Sequence, residues 1–507
     1  MNSSAAPLIT PDDVHNRELL RNLHPPDWVN PNPTGLYNLV VIGAGTAGLV
    51  SAAGGGALGA KVALIERHLM GGDCTNYGCV PSKAVIRSAR AAFALREAPS
   101  FGVSARNGEP VDFPRVMERM RRLRTQISAN DSVDRFSKLG AEVYLGDAKF
   151  KGKNEIEVEG RRLSFSKAII ATGARAAALD LPGFAETSYL TNETVFSLET
   201  LPKTLLVIGG GPIGCELAQT FRRFGSEVIV VVRGLRLLPN DDADAAEIIR
   251  RRFEREGIRI LFGSKLLRAE RTGQRRRVVL QRSAQEESIV ADEILVAIGR
   301  KPNIEGLNAE AAGVKTDASG VLVNDMLRTS SHDIYAAGDI CSSYKFTHAA
   351  EAMARIAIQN ALFFGRKRVS DLVIPWSTYT DPEVAHVGIT EKEAAKRGDE
   401  VVTFTKEFAD TDRAILDGET EGHVRLYMNR QDGRLLGATI VGSHAGESIG
   451  EAVLAIKQKL KVADLSGVIH PYPTQAEAIK RAADLQYRSR LKPWMRRILN
   501  KYFRYRR

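Results

Sequence analysis

Two cysteines five positions apart, Cys74 and Cys79, stand in the stretch GGDCTNYGCVPSK (71–83), which ends on Lys83. Two thiols at this spacing suit a bridge that opens and closes. Five positions along a regular α-helix turn the chain by about 140° around the axis, so a disulfide between them needs a distorted helix start. A strained bridge is easily reduced, which fits a catalytic disulfide better than a structural one. An inert thiol pair and half of a metal site are the competing readings. Cys215 and Cys341 stand alone and no Cys/His cluster completes four ligands, so no metal site is expected.

The segments that must position these thiols repeat one pattern. YNLVVIGAGTAG (37–48) and KTLLVIGGGPIG (203–214) each read as a short apolar β-rich run, then G-x-G-x-x-G, then a small-residue helix. KVALIE supplies a second strand ending at Glu66, and EVIVVV its counterpart ending at Val232 and Arg233. Two such βαβ units in strand–turn–helix context imply two dinucleotide sites, one on Gly43, Gly45 and Gly48 and one on Gly209, Gly211 and Gly214. The first glycine allows the tight turn and the second lets pyrophosphate approach the backbone. The third lets helix and strand pack closely, with the helix N-terminus facing the anion. Gly54, Gly55 and Gly56 conflict with the first helix at roughly 1 kcal/mol each relative to Ala, unless another element comes close there. An acid at the end of the second strand bonds a ribose 2′-hydroxyl and repels a 2′-phosphate. In the second unit Val232 takes that place, followed by Arg233 and Arg236, which favours NADPH over NADH. Solvent-facing arginines are the plainer alternative.

The whole chain has 507 residues, and at about 150 residues per domain that suggests two to four domains. Hydrophobic content of 44% and charged content of 26% exclude a disordered or fibrous chain. Four cysteines are too few for a disulfide scaffold. Residues 1–35 carry Asp12, Asp13, Glu18 and six prolines with no apolar core, so no targeting segment is expected. The uncharged stretch from Leu39 to Ala60 is long enough to span a membrane. Its seven glycines make it a poor span and a good buried strand, turn and helix, and a cytoplasmic protein is expected. DEILVAIGRKPN (292–303) and HDIYAAGDI (332–340) read as strands ending in glycine turns. Residues 372–465 alternate strand-like and helical runs, as in an α+β domain with an antiparallel sheet.

C-x-x-x-x-C-V-P-S-K after a first G-x-G-x-x-G, with ATG at 171–173 and AAGD at 336–339, resembles the FAD-dependent pyridine nucleotide–disulfide oxidoreductases. The match runs from about Tyr37 to about Ala483 and is closest to mercuric reductase-like members. The resemblance implies an α/β fold with two Rossmann-like dinucleotide-binding domains, for FAD and NAD(P), plus an α+β C-terminal dimerisation domain. The expected division is an extension over 1–36, FAD binding over 37–186 and 306–371, and NAD(P) binding over 187–305. An interface domain over 372–487 and a basic tail over 488–507 complete it. A homodimer is implied. Gly43, Gly45 and Gly48 would cradle the FAD pyrophosphate, Glu66 the adenosine ribose, and Asp339 the ribityl-phosphate region. Gly72, Thr172, Gly173 and Gly299 complete the implied cofactor contacts. Cys79 would exchange electrons with the flavin, and Cys74 would be the outer thiol that attacks substrate. Lys83 would sit near flavin N5 and pair with Glu216; a solvated helix lysine is the alternative.

One motif departs from the family. Most members carry His-Pro-Thr-x-x-Glu near the C-terminus, supplied by the partner subunit, with the histidine as acid–base for the outer thiol. Here HPYPTQAE (470–477) puts Tyr472 at the histidine position, keeps Glu477 and leaves His470 two residues earlier. Tyrosine, with a pKa near 10, is a poor proton shuttle at neutral pH. A two-residue shift in an extended segment leaves His470 several ångströms away as a substitute. Tyrosine at this place is similar to mercuric reductases, where a soft metal ion relies on thiolate ligation more than on proton delivery. Those enzymes also carry a C-terminal cysteine pair, whereas Cys341 is the last cysteine here. The implied reaction passes electrons from NADPH through flavin and the Cys74–Cys79 disulfide to a small thiol-reactive acceptor, a metal ion or a disulfide. A membrane-associated NAD(P)H:quinone dehydrogenase using flavin directly is one alternative, and a catalytically idle flavoprotein serving as an interaction partner is another.

The net charge of +11 is local. RSRLKPWMRRILNKYFRYRR (488–507) holds nine Lys/Arg and no acid, and without it 62 basic residues face 60 acidic ones. Leu491, Trp494, Met495, Ile498, Leu499, Tyr502 and Phe503 recur at helical spacing, with Pro493 in the first turn. An aromatic-bearing apolar face opposite a purely basic one suits an anionic membrane surface, here the inner face. Docking on the protein itself or its dimer partner is the equal alternative. Nucleic acid is not expected, because no reading motif accompanies the tail.

Overall fold

The computed structural model describes residues 9–104, 111–490 and 493–507. Two units form. One takes in the chain up to Gly209, Leu217–Arg233 and Gly263–Leu372; the other takes in Gly210–Glu216, Gly234–Phe262 and the chain from Val373 on.

In the first unit a short helix, α1 (Val14–Leu23), precedes β1 (Leu36–Ile42). α2 (Thr46–Ala57) then leads to β2 (Val62–Glu66). β2 is buried along its whole length, as expected of a strand covered on both faces of a parallel sheet. Two helices follow, α3 (Gly72–Asn76) and α4 (Cys79–Glu97), and then α5 (Phe113–Ser128). The sheet continues with β3 (Ala141–Leu145), β4 (Ala148–Gly152), β5 (Glu155–Val158) and β6 (Arg161–Ile170). The order is β3-β2-β1-β6-β5-β4, and Ile334–Ala336 adds alongside β6. β1 runs parallel to β2 and β6, with Ile42 opposite Ile65 and Ile170. The core beneath this sheet includes Tyr37, Val40, Ile65, Phe150, Phe165 and Ile334.

The three glycines of α2 have a packing reason. A Cβ on Gly54 would lie 2.8 Å from Ile358 Cδ1 of the helix Thr347–Leu362, one on Gly55 3.0 Å from Val62 Cγ2, and one on Gly56 2.8 Å from the Leu139 carbonyl oxygen. Close approach on three sides offsets the weak helix propensity, so the conflict in the sequence is resolved by neighbours.

A second parallel set lies within the same unit: Thr204–Ile208 pairs with Glu227–Val231 and with Glu293–Val296. The second unit holds a five-stranded antiparallel sheet ordered Trp376–Thr378, Glu383–Gly388, Leu435–Gly442, His423–Asn429, Val401–Glu407. Val387, Leu426 and Ile440 of this sheet pack with Ile449 and Ala452 of the helix Ala445–Lys457 and with Ile479 and Ala482 of the helix Glu477–Arg490. Two Rossmann-like sheets and an antiparallel α+β region agree with the fold class expected from the sequence.

Candidate active site

The redox segment starts where the helix breaks. Gly71 (φ +84°) and Gly72 (φ +59°) use left-handed backbone to turn the chain into α3, and α3 ends as the Tyr77 N–H bonds the Asp73 carbonyl at 2.8 Å. α4 begins two residues later at Cys79. Cys74 and Cys79 therefore sit on different helices across a break, which is the distortion their spacing demands. Cys79 is the more exposed of the two thiols, and its sulfur lies 3.4 Å from Thr347 Oγ1. The contact with Cys79, then burial, push the Cys74 thiol above its ordinary value; the Asp73 charge adds to this and Thr347 opposes it. Burial holds Cys341 up at about 12 and raises Cys215 as well, so neither is a nucleophile at neutral pH.

The first glycine turn forms a cradle without side chains. Gly43 takes φ +98°, and a Cβ there would lie 2.4 Å from the Ala171 carbonyl oxygen. A Cβ on Gly48 would lie 1.7 Å from the Gly43 carbonyl oxygen, which is the close helix–strand contact the third glycine permits. Gly45 and Gly72 face each other, and a Cβ on Gly72 would lie 2.6 Å from the Gly45 Cα. Glu66, buried at the end of β2, accepts the Ala44 N–H at 2.7 Å and the His68 N–H at 2.8 Å. A cleft lined by Gly43, Glu66, Arg67, Gly146, Asp147 and Thr172 opens beside it. A bare turn at a helix N-terminus next to a carboxylate at a strand end fits the pyrophosphate and ribose of FAD.

Of the remaining residues of the first unit, Thr172 and Asn303 also line this cleft. Thr172 and Asn303 exchange hydrogen bonds at 2.8 and 2.9 Å, beside Gly173 at φ +65°. Asp339 is half-buried, and that burial raises its carboxyl above its ordinary value, with Arg300 and then Lys345 opposing it. Arg300 lies 3.0 Å from Asp73 and 3.4 Å from Asp339, and donates to the Ala174 carbonyl at 2.6 Å. Burial alone would lower its guanidinium, but the two carboxylates outweigh that and hold it up. Lys83 is half-buried in α4. Gly209 repeats the first turn with φ +120°, Gly299 takes φ +133°, and Arg233 is exposed.

In the second unit Gly211 and Gly214 open the helix Pro212–Phe224, and Glu216 is buried and accepts the Tyr379 N–H at 2.9 Å. Arg236 donates to the Pro239 carbonyl at 2.6 Å. The three groups of the altered C-terminal motif all have partners within the second unit. Tyr472 is exposed and donates to Asp412 at 2.8 Å, a bond that raises its hydroxyl further and weakens it as a proton shuttle. His470 bonds Glu451 at 2.9 Å, and Glu477 pairs with Arg481 at 3.1 Å. The chain thus does not bring His470 and Glu477 together as a dyad.

Residues 37–354 match the pyridine nucleotide-disulphide oxidoreductase family, and residues 374–483 match its dimerisation domain. The chain belongs to this family. It is 36% identical over 456 residues to a mercuric reductase of Staphylococcus aureus, covering 90% of this chain and 83% of that one. It is also 36% identical over 458 residues to a dihydrolipoyl dehydrogenase of Thermus scotoductus, covering 88% and 97%. Among solved structures, the HOCl-induced flavoprotein disulfide reductase RclA of Escherichia coli aligns with TM-score 0.80 and 26% identity, covering 89% of this chain and 100% of that one. This oxidoreductase is an FAD-dependent, NAD(P)H-using flavoprotein, and its dimerisation domain makes it a homodimer. The family and these relatives favour neither a quinone dehydrogenase nor an idle flavoprotein. Among the described residues no helix is long and apolar enough to cross a membrane.

Sequence reading passed over Asp73, Arg300 and Thr347. An acid directly before Cys74 was a visible signal for the first. The other two reach the site from 227 residues beyond Asp73 and 268 beyond Cys79, and nothing local marks them.

Proposed function

We propose that this oxidoreductase takes electrons from NADPH and delivers them through Cys79 and Cys74 to a soft, thiophilic metal ion. The carrying observation is Tyr472, exposed and bonded to Asp412, at the place where the family's acid–base histidine stands. A disulfide acceptor needs a proton for its leaving thiolate, whereas a soft metal ion needs only thiolate sulfur. The mercuric reductases among the relatives support the metal reading, as does a copper(II) complex in one of the matched RclA structures, TM-score 0.80.

Bound FAD supplies the two-electron relay between the nicotinamide and the disulfide. Gly43, Gly45, Gly48 and Gly72 would take the pyrophosphate on bare backbone, Glu66 and Asp339 would orient the ends of the cofactor, and Lys83 and Cys79 would serve its flavin end. Cys74 is released as the outer thiolate when the bridge opens, and it binds the acceptor. NADPH is favoured because Val232 offers no acid to repel a 2′-phosphate and Arg233 and Arg236 follow it.

Anaerobic titration with NADPH, followed by a panel of mercuric ion, copper(II), glutathione disulfide and lipoamide, tests this. Cys74→Ser is expected to abolish turnover of every acceptor while NADPH still bleaches the flavin; unchanged turnover would defeat the mechanism. Turnover of a disulfide equal to that of the metal ions would defeat the metal reading.

The tail is proposed to rest on an anionic membrane. In the helix Pro493–Tyr505 no residue is buried, and Trp494, Ile498, Leu499, Tyr502 and Phe503 stay 41–57% exposed beside an all-basic face. Such a helix gains both apolar burial and charge attraction at a lipid surface. Flotation with phosphatidylglycerol liposomes should lose most bound protein when residues 488–507 are removed. Equal flotation would end the proposal.

A further inference from the structure

The N-terminal extension lies before the family match, which begins at residue 37, and the reaction above gives it no task. Its hydrogen bonds nevertheless converge on the walls of the cofactor cleft. Asn30 brackets Leu145 on both sides: its Nδ2 donates to the Leu145 carbonyl at 2.8 Å and its Oδ1 accepts the Leu145 N–H at 2.7 Å. Leu145 leads directly into Gly146 and Asp147, which line the cleft. Trp28 Nε1 donates to the Val143 carbonyl at 3.3 Å on the same strand, β3.

A second set of bonds reaches the neighbouring loop, after β2, where the Glu66 carbonyl accepts the Gly146 N–H at 2.8 Å. The Met70 N–H donates to the Leu23 carbonyl at 3.2 Å, one residue before the Gly71–Gly72 turn. The His24 ring bonds the His68 carbonyl, next to Glu66 and Arg67. Arg124 of α5, 4% exposed, joins the extension to the redox segment itself: Nη2 donates to Asn16 Oδ1 at 2.6 Å and Nη1 to the Asn76 carbonyl at 2.9 Å. Asn76 lies between the two cysteines. Leu19 and Leu23 are fully buried, so α1 is part of the unit's core.

Each loop of a cofactor cleft is less stable than the strand it leaves, because its backbone lacks ladder partners. Here the loop after β2 and the end of β3 gain them from one continuous segment, residues 13–30. We infer that this segment is a strap that fixes the end of β3, the loop after β2 and the redox segment together, so that Asn30 and Asn16 are positioning residues for FAD retention. The inference rests on the assignment of the Glu66 cleft to FAD.

The rate of FAD release from the holoenzyme, followed as flavin appearing in the ultrafiltrate after large dilution into flavin-free buffer, reads this directly. Asn30→Ala and Asn16→Leu are compared with Glu66→Gln, and the thermal midpoint of each apoprotein is measured alongside. We expect Asn30→Ala to speed release by ~10–30-fold, because both hydrogen bonds to Leu145 are lost. The apoprotein midpoint should move little. Asn16→Leu should change the visible spectrum of the NADPH-reduced enzyme, because it frees the segment between the cysteines. Faster release with Glu66→Gln but unchanged release and spectrum with both asparagine variants would overturn the strap. Unchanged release with Glu66→Gln would overturn the cleft assignment instead. A fall in apoprotein midpoint matching the change in release would make the segment a general stabiliser and also overturn the inference.

Discussion

The two glycine turns of the first unit share one hydrogen-bonding scaffold and differ in what closes it. The Gly43 N–H bonds the Ile65 carbonyl at 2.7 Å and the Gly209 N–H bonds the Val231 carbonyl at 2.9 Å. Ala171 and Ala297 donate to Ile42 and Ile208, each at 2.8 Å, and a Cβ on either glycine would press into the carbonyl of that alanine at 2.4 or 2.3 Å. Beside the first turn stands Glu66, a carboxylate accepting two backbone N–H groups; at the matching place in the second stands Val232. On the proposed function, the bare turn is an anion cradle in both copies and the residue one strand over selects the ribose, which would make cofactor choice separable from cofactor binding.

The strongest way to break this comparison is to fill both cradles. Gly43→Val is expected to purify without FAD, because strained backbone costs ~1–3 kcal/mol before the clash with Ala171 is counted. Gly209→Val should keep full flavin absorbance yet slow reduction by NADPH by ~100-fold or more in stopped flow, a loss of about 3 kcal/mol. Loss of flavin from both would show that the turns are not independent. Glu66→Gln is the next largest: exchanging a charged acceptor for a neutral amide costs ~1.5–3 kcal/mol, or ~10–100-fold in FAD affinity by equilibrium dialysis. Val232→Glu should lower the NADPH-to-NADH ratio of kcat/KM by ~10-fold by repelling the 2′-phosphate. An unmoved ratio would remove the argument from strand-end charge. The smallest effect belongs to Arg236→Ala, about 2–3-fold in KM for NADPH, because that guanidinium is partly spent on the Pro239 carbonyl.

Much of this site was legible because its chemistry is local. The turns at Gly43 and Gly209, the strand ending at Glu66 and the Cys74–Cys79 pair are each contained within some thirty residues. Their spacing carries the backbone geometry they need. The helical tail was legible for the same reason: periodicity and charge are properties of one segment. What the sequence hid were partners chosen across the fold. His470 invites pairing with Glu477, seven positions on, yet it bonds Glu451 of a neighbouring helix while Glu477 turns to Arg481 one turn along its own. Tyr472 finds Asp412, 60 residues away.

Local sequence by itself determined the two bare turns, the helix break that separates the cysteines, and the basic face of the tail, because backbone conformation follows from residue type over a few positions. Only the tertiary structure decided that Arg300 links Asp73 to Asp339 and that Asn30 holds the end of β3. It also explained three glycines inside α2, which pattern alone made a defect. A buried charge or loop amide must find a partner wherever the packed chain brings one, and that choice is made by the fold as a whole.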